Sequence, residues 1–498
     1  PSAFAVRPGP ATHESMSPQA DSPTPVQRLL QAVGHALGTR LSVWRWAKVW
    51  LRASFLPEQN YLIVLSVVVG ILTGLGSVCF IYVLEGVAAF ARGPVADVLS
   101  RFGPAQLVLL PALGGLLVGP IVNRFAREAK GHGVPEVMTA LALHGGRIRK
   151  RVVTVKVIAS SLTIGFGGAA GREGPMVQIG SAIGSTVGQW TRLTSNNVRT
   201  LVTCGAAGGI AATFNAPIAA AIFSMEILTG RIHTDFLLVL LTSLSSCMIA
   251  RHFLGNFPAF MSPVYDLVSP AELPLYFLMG ILIGTAAIGY VKLLYRSEDL
   301  FGAWTFPDYL KPAIGGLVVG LILRYFPEVY GSGFQAVESA LWVRFSWQLL
   351  LALFFAQLLA NCATLGSGGS GGVFAPSLYM GAMLGGTFGS LTHSVFPEWT
   401  AGAGAYAMVG MAAFFAATAK APTTSILILF EMTNDYRIML PLMAATVGSV
   451  YVSHRLFPFT VYTLKLHRRG ISFPHAEDTE RAVVETPPPI PPTEPAGA

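Results

Sequence analysis

Charge is what this sequence has least of. Only 12% of its 498 residues are Asp, Glu, Lys or Arg, about half the share of a soluble globular domain, which excludes an ordinary water-soluble fold. Cysteine is scarce as well. Cys79, Cys204, Cys247 and Cys362 stand singly in apolar segments without metal-ligand spacing, so neither a disulfide framework nor a metal site is expected, and all four are predicted as core residues. Residues 1–26 lack the apolar core of a cleavable signal peptide and are rich in Pro, Ser and Thr, a composition that predicts a disordered tail.

What is abundant is apolar sequence. Hydrophobic residues make up 52% of the chain and mean hydropathy is +0.57. Apolar runs at Leu62–Leu84, Gln106–Val122, Phe236–Ile249, Tyr276–Val291, Trp347–Leu359 and Ile438–Val452 approach or reach the length that crosses a bilayer, about 17 to 25 residues. These runs predict an all-α polytopic membrane protein. The 53 glycines lie inside apolar sequence, where small residues let membrane helices approach closely.

The net charge of +8 is distributed along the chain in a way that argues against nucleic acid as a partner. Arg28, Arg40, Arg45, Lys48 and Arg52, interleaved with Trp44, Trp46 and Trp50, predict a basic amphipathic helix over 27–57 lying on the membrane surface. Further basic clusters are Arg124, Arg127 and Lys130, then Arg147, Arg149, Lys150 and Arg151, and finally Lys465, Arg468 and Arg469. The positive-inside rule places them, with both termini, in the cytoplasm. Residues 463–498 read as a proline-rich cytoplasmic tail.

The chain repeats itself. "PALGGLLVG" at Pro111 returns as "PAIGGLVVG" at Pro312, and "GHGVPEV" at Gly131 returns as "GSGFQAV" at Gly331. The block "GFGGAAGREGPMVQIG" from Gly165 aligns with "GSGGSGGVFAPSLYMG" from Gly366, and Pro217 with Glu226 aligns with Pro422 and Glu431. Four blocks in one order, offset by about 200 to 205 residues, define two homologous membrane halves, 58–255 and 256–462.

Such repeats place substrate near the midplane, between broken helices. Each matched block puts a Gly-rich turn and a proline where a helix can start inside the bilayer, and irregular backbone at that depth lines a cavity or is buried in protein. A helix N-terminus offers unpaired N–H groups and partial positive charge, hence an anion site without a cationic side chain. Arg172 and Glu173 belong to the first half only; the second has Val373 and Phe374 there. The shared fold therefore does not require the two charges.

"GHGVPE", "GREGP", "GGVFAP" and "VYTLKL", in that order between Leu62 and Arg469, resemble the signature blocks of the CLC family of chloride channels and chloride/proton exchangers, in its bacterial form. The resemblance implies two inverted-topology repeats of tilted and partly re-entrant helices, assembled as a homodimer with one anion pathway per subunit in a prokaryotic inner membrane. It implies Glu173 as the gate, flanked by Arg172, Gly174 and Pro175 in support. It implies an anion held by His132 and Gly133, by the N–H groups of Val373 and Phe374, and by the Tyr462 hydroxyl. Chloride is the expected ligand and no cofactor is expected. Fewer than about 30 residues follow Gly470, so no regulatory CBS pair is expected.

Two positions depart from the family pattern. His132 stands where chloride-selective members carry serine. It could bind the anion directly or leave backbone donors to do so, and nitrate stays open as a substrate. Ile227 stands where proton-coupled exchangers carry an internal glutamate, and isoleucine relays no proton. The neighbouring Glu226 is expected to make a structural contact, as repeat-related Glu431 suggests. The primary expectation is a channel or weakly proton-coupled transporter gated by Glu173. The alternative is a stoichiometric antiporter with a non-standard internal proton route. A fluoride exporter is disfavoured because the Gly-x-Gly-x-Pro frame survives. A membrane hydrolase using Ser370 of "GGSGG" is formally matched but has no strand context and no His and Asp to complete a triad, so no enzyme is expected.

Overall fold

A computed structural model describes residues 58–230, 235–257, 260 and 263–471. The surface helix expected over 27–57, the tail 1–26 and most of the terminal segment lie outside the described residues.

Among the described residues seventeen α-helices of six or more residues follow one another, the first sixteen falling into two matching sets of eight. The first half runs α1 (Glu58–Phe90), α2 (Gln106–Phe125), α3 (Val134–Leu143), α4 (Arg151–Gly165), α5 (Glu173–Trp190), α6 (Ser195–Phe214), α7 (Pro217–Phe223) and α8 (Phe236–Leu254). The second repeats them as α9 (Leu273–Ala303), α10 (Lys311–Leu323), α11 (Phe334–Leu341), α12 (Trp347–Gly366), α13 (Phe374–Val395), α14 (Ala403–Ala419), α15 (Pro422–Thr433) and α16 (Met439–Leu456). A short α17 (Thr463–Arg468) closes the chain. Among the described residues no strand forms beyond two isolated bridges.

Local sequence sets the matching breaks. α6 ends at Asn215 and α14 at Lys420, both left-handed (φ 59° and 52°). A non-helical alanine follows in each half, Ala216 and Ala421, and then a proline at the first helical position, where its missing N–H costs nothing. α3, α10 and α14 are apolar but have only 10, 13 and 17 residues. At 1.5 Å per residue α3 covers about 15 Å, half a hydrocarbon core.

The halves pack by the same rules and then against each other. α1 packs on α8 as α9 packs on α16, α5 on α6 as α13 on α14, while α2 meets α10 and α7 meets α15 across the pseudo-two-fold axis. The repeated "GG" motif explains the first crossing. A side chain on Gly115 would collide with the Pro312 carbonyl, and one on repeat-related Gly316 with the Pro111 carbonyl, so only glycine allows this close approach. The result is an all-helical membrane protein of two inverted halves. The cysteine expectation is corrected at one position: Cys204, Cys247 and Cys362 are buried but Cys79 is exposed, because α1 lies at the periphery and turns that face outward.

Candidate functional site

Three helix N-termini meet around one buried carboxylate. Glu173 is the first residue of α5 and is 1% exposed. Its Oε2 accepts the N–H of Ala375 (3.4 Å) in the first turn of α13, and its Oε1 has no partner. The carboxylate thus occupies the place where the N-terminus of α13 would present free N–H groups to an anion. Val373 and Phe374, both buried, cap and open that helix. The Phe374 ring packs between Phe415 (4.3 Å between centroids) and Phe214 (4.9 Å), so its side chain is held by the core while its backbone faces Glu173.

The third N-terminus is that of α3, with Gly133 as its N-cap at φ 79°. Before it, His132 is 1% exposed with both ring nitrogens unpartnered. Its ring lies 6.2 Å from that of Tyr462 and 6.3 Å from that of Tyr295. Gly174 brings this loop against α5: a side chain there would strike the His132 carbonyl. Pro175 follows, buried, in the first turn of α5. Tyr462 is 2% exposed, held by its N–H to Thr460 Oγ1 (3.1 Å), and lies within electrostatic reach of Glu173.

The Gly-rich loops form a braid that fixes these groups. Gly131 donates to the Gly369 carbonyl (3.0 Å) and accepts from Gly371 (3.3 Å), while Ala170 donates to Gly331 (3.2 Å). Lys156 is the residue that sequence reasoning missed. It sits in an apolar run of α4, is fully buried, and its Nζ donates to the carbonyls of Ala129 (3.0 Å) and Gly131 (2.9 Å). It ties down the loop that carries His132. The only sequence signal was the lone cation inside the run.

Arg172 has its guanidinium over the Phe334 ring (5.0 Å). Ile227 is buried among apolar neighbours. Glu226 is engaged elsewhere: its carboxylate accepts the N–H groups of Thr423 (3.3 Å) and Thr424 (2.8 Å) at the start of α15. Glu431 accepts those of Ile218 (3.2 Å) and Ala219 (2.7 Å) at the start of α7. Ser370 is buried, its hydroxyl shared with Ser160 (2.9 Å) and the Ala129 carbonyl (2.7 Å).

A carboxylate at converging helix ends, within two inverted membrane halves, defines a transport protein for small anions. The sequence profile of the family described as voltage gated chloride channel matches residues 114–454, well over half of the chain, and the chain belongs to that family. It is 36% identical over 366 residues to a ClcB-like chloride channel protein of Ralstonia nicotianae, covering 72% of this chain and 85% of the relative. It is 33% identical to the H(+)/Cl(-) exchange transporter ClcA of Vibrio cholerae, over 81% of this chain and 88% of the relative. Among solved structures it superposes on a slow cyanobacterial Cl-/H+ antiporter with a TM-score of 0.76 at 28% identity, over 82% of this chain and 97% of that one. The relatives named as exchangers favour the antiporter alternative over the channel or weakly coupled expectation. That expectation weighed Ile227 alone, whereas the exchanger likeness extends over most of the chain.

Proposed function

We propose that this chloride transport protein exchanges chloride for protons, with Glu173 as gate. The observation that carries the reading is the Glu173 carboxylate seated at the N-terminus of α13 with one oxygen unpartnered. An ionised carboxylate there competes with chloride for the same N–H groups, and a protonated one does not. Proton binding and anion binding at one place are thereby mutually coupled. The exchange transporter among the relatives and the antiporter among the solved structures support the same reading.

In this reading the anion is held by the N–H groups of Val373 and Phe374, by the loop of His132 and Gly133, and by the Tyr462 hydroxyl. His132 supplies a donor that sets the preference among chloride, nitrate and other small anions. Arg172, 5.0 Å from Phe334, supports the loop and contributes positive field at the entrance. The basic clusters at Arg147–Arg151 and Lys465–Arg469 face the cytoplasm of a prokaryotic cell, and two copies assemble with one pathway each. No cofactor and no hydrolytic chemistry take part.

The test is transport by the purified protein in vesicles carrying an outward chloride gradient. Exchange predicts protons driven uphill into the vesicle at a fixed proton-to-chloride ratio; chloride movement without protons would identify a channel.

A further inference from the structure

An exchanger needs a proton path to its gate from each side of the membrane, and Ile227 with the engaged Glu226 provides none from the basic face. We propose that the cavity between α3 and α5 is that path, delivering the proton to Glu173 through Gln178 and His132. The proposal rests on the exchange reading above.

The cavity, of about 370 Å³, opens on the face that bears Arg147–Arg151 and is lined by Glu128, Glu136, Val137, His144, Arg147 and Gln178. It has a counterpart on the other half. A cavity of about 690 Å³ is lined by Glu328, Ala336 and Ser339, the repeat partners of Glu128, Glu136 and Thr139. The fold therefore builds one such cavity from each half, and each runs beside a Gly-x-Gly loop that borders the Glu173 loop.

Unpartnered buried atoms mark the way inward. Glu128 Oε2, Gln178 Oε1, both nitrogens of His132 and Glu173 Oε1 are buried and have no hydrogen-bond partner. Buried polar atoms of this kind in a roomy polar site hold water; Glu128 and Gln178 border the cavity, and the His132 loop that carries the proposed line onward packs on the first turn of α5, where Glu173 begins the helix. Gln178 is 2% exposed and is aimed by its Nε2, which donates to the Glu128 carbonyl (2.9 Å). Gly133 leaves it room: a side chain there would stand 3.0 Å from Gln178 Oε1 and 2.8 Å from the Gly174 carbonyl. The loop of His132 is thus packed between Gln178 and the first turn of α5.

The charges around the cavity leave this line open. Arg149 is bound to Glu128 Oε1 and Arg469 to Glu136, while His144 and Arg147 are exposed at the mouth. Chemically the relay needs only proton transfers. A neutral imidazole takes a proton on one nitrogen from a hydronium ion that reaches it through cavity water, leaving water behind, and releases the proton of its other nitrogen to Glu173 Oε1, which becomes neutral. Rotation of the ring restores the starting tautomer.

Chloride and proton movement measured together in vesicles test this with three variants of the full chain. Gln178→Leu breaks the line, and Val137→Phe fills the cavity without touching a polar atom. Each is expected to move at least about tenfold fewer protons per chloride, whereas Gln178→Glu, which keeps a polar side chain able to hold water at that point, should retain the parental ratio. If the parent is coupled and both Gln178→Leu and Val137→Phe elute as the parent does and keep its ratio, the route is wrong and the exchange reading stands. A parent that moves no protons overturns both.

Discussion

Gly171 and Gly372 occupy the same position in the two halves, and they bond to each other: the Gly171 N–H donates to the Gly372 carbonyl (2.9 Å) and the Gly372 N–H to the Gly171 carbonyl (2.6 Å). Repeat-related residues that pair reciprocally lie on the axis relating the halves. Glu173 is two residues away, so the proposed gate hangs from the axis itself, and a side chain on Gly171 would strike its Oε2.

Gly171→Ala is therefore expected to displace the Glu173 carboxylate, the flexible partner in that collision. Chloride efflux near neutral pH should rise a few-fold towards its acid value, flattening the pH dependence. Efflux measured at acid and neutral pH checks this, and an unchanged pH profile would contradict it.

Glu226 and Glu431 exchange caps across the axis, each accepting two N–H groups from the helix start of the other half. Replacing either by Gln weakens one cap by about 1 kcal/mol, a few degrees in thermal midpoint. Glu226→Gln should leave the proton-to-chloride ratio at the parental value, since its carboxylate caps α15. A collapse of that ratio would make Glu226 the relay after all.

Much of this was legible in the sequence because it is local. Glycine, proline and the repeated blocks fix where helices break, so the two halves, the re-entrant starts and the structural role of the Glu226 and Glu431 pair follow from spacing. The Gly171–Gly372 pairing does not follow, since it joins loops about 200 residues apart and no local pattern encodes their meeting. Lys156 was hidden for a related reason. A single cation in an apolar run reads as facing water, and only the fold brings the Ala129 and Gly131 carbonyls to it. Cys79 failed the opposite way, since an apolar run does not reveal which of its faces meets lipid.

Lys156→Met removes the charged donor shared by two loop carbonyls, leaving Ala129 to the Ser370 hydroxyl and Gly131 to the Gly371 N–H alone. The expected loss is about 3 kcal/mol, with weaker chloride binding because the loop of His132 is no longer held. Thermal unfolding with and without chloride separates the two effects: chloride should stabilise the variant less than the parent.

Outside the membrane-spanning helices, burial pushes the Glu128 carboxyl up, but the hydrogen bond and charge of Arg149, with help from Arg151, hold it below the usual range. A carboxyl lowered in the folded state stabilises above its unfolded pKa, and that stability is lost as pH falls through the folded value. Arg149 is 54% exposed, so the contribution is under about 1 kcal/mol. The difference in thermal midpoint between parent and Glu128→Gln should shrink below pH of about 4 and in high salt.

In the proposed exchange Glu173 is a carboxylate that competes with chloride and is relieved by a proton. Chloride and proton flux measured together for Glu173→Gln test it most directly. The prediction is chloride movement that no longer depends on pH and carries no protons; a variant that keeps the parental pH dependence and proton ratio would contradict it.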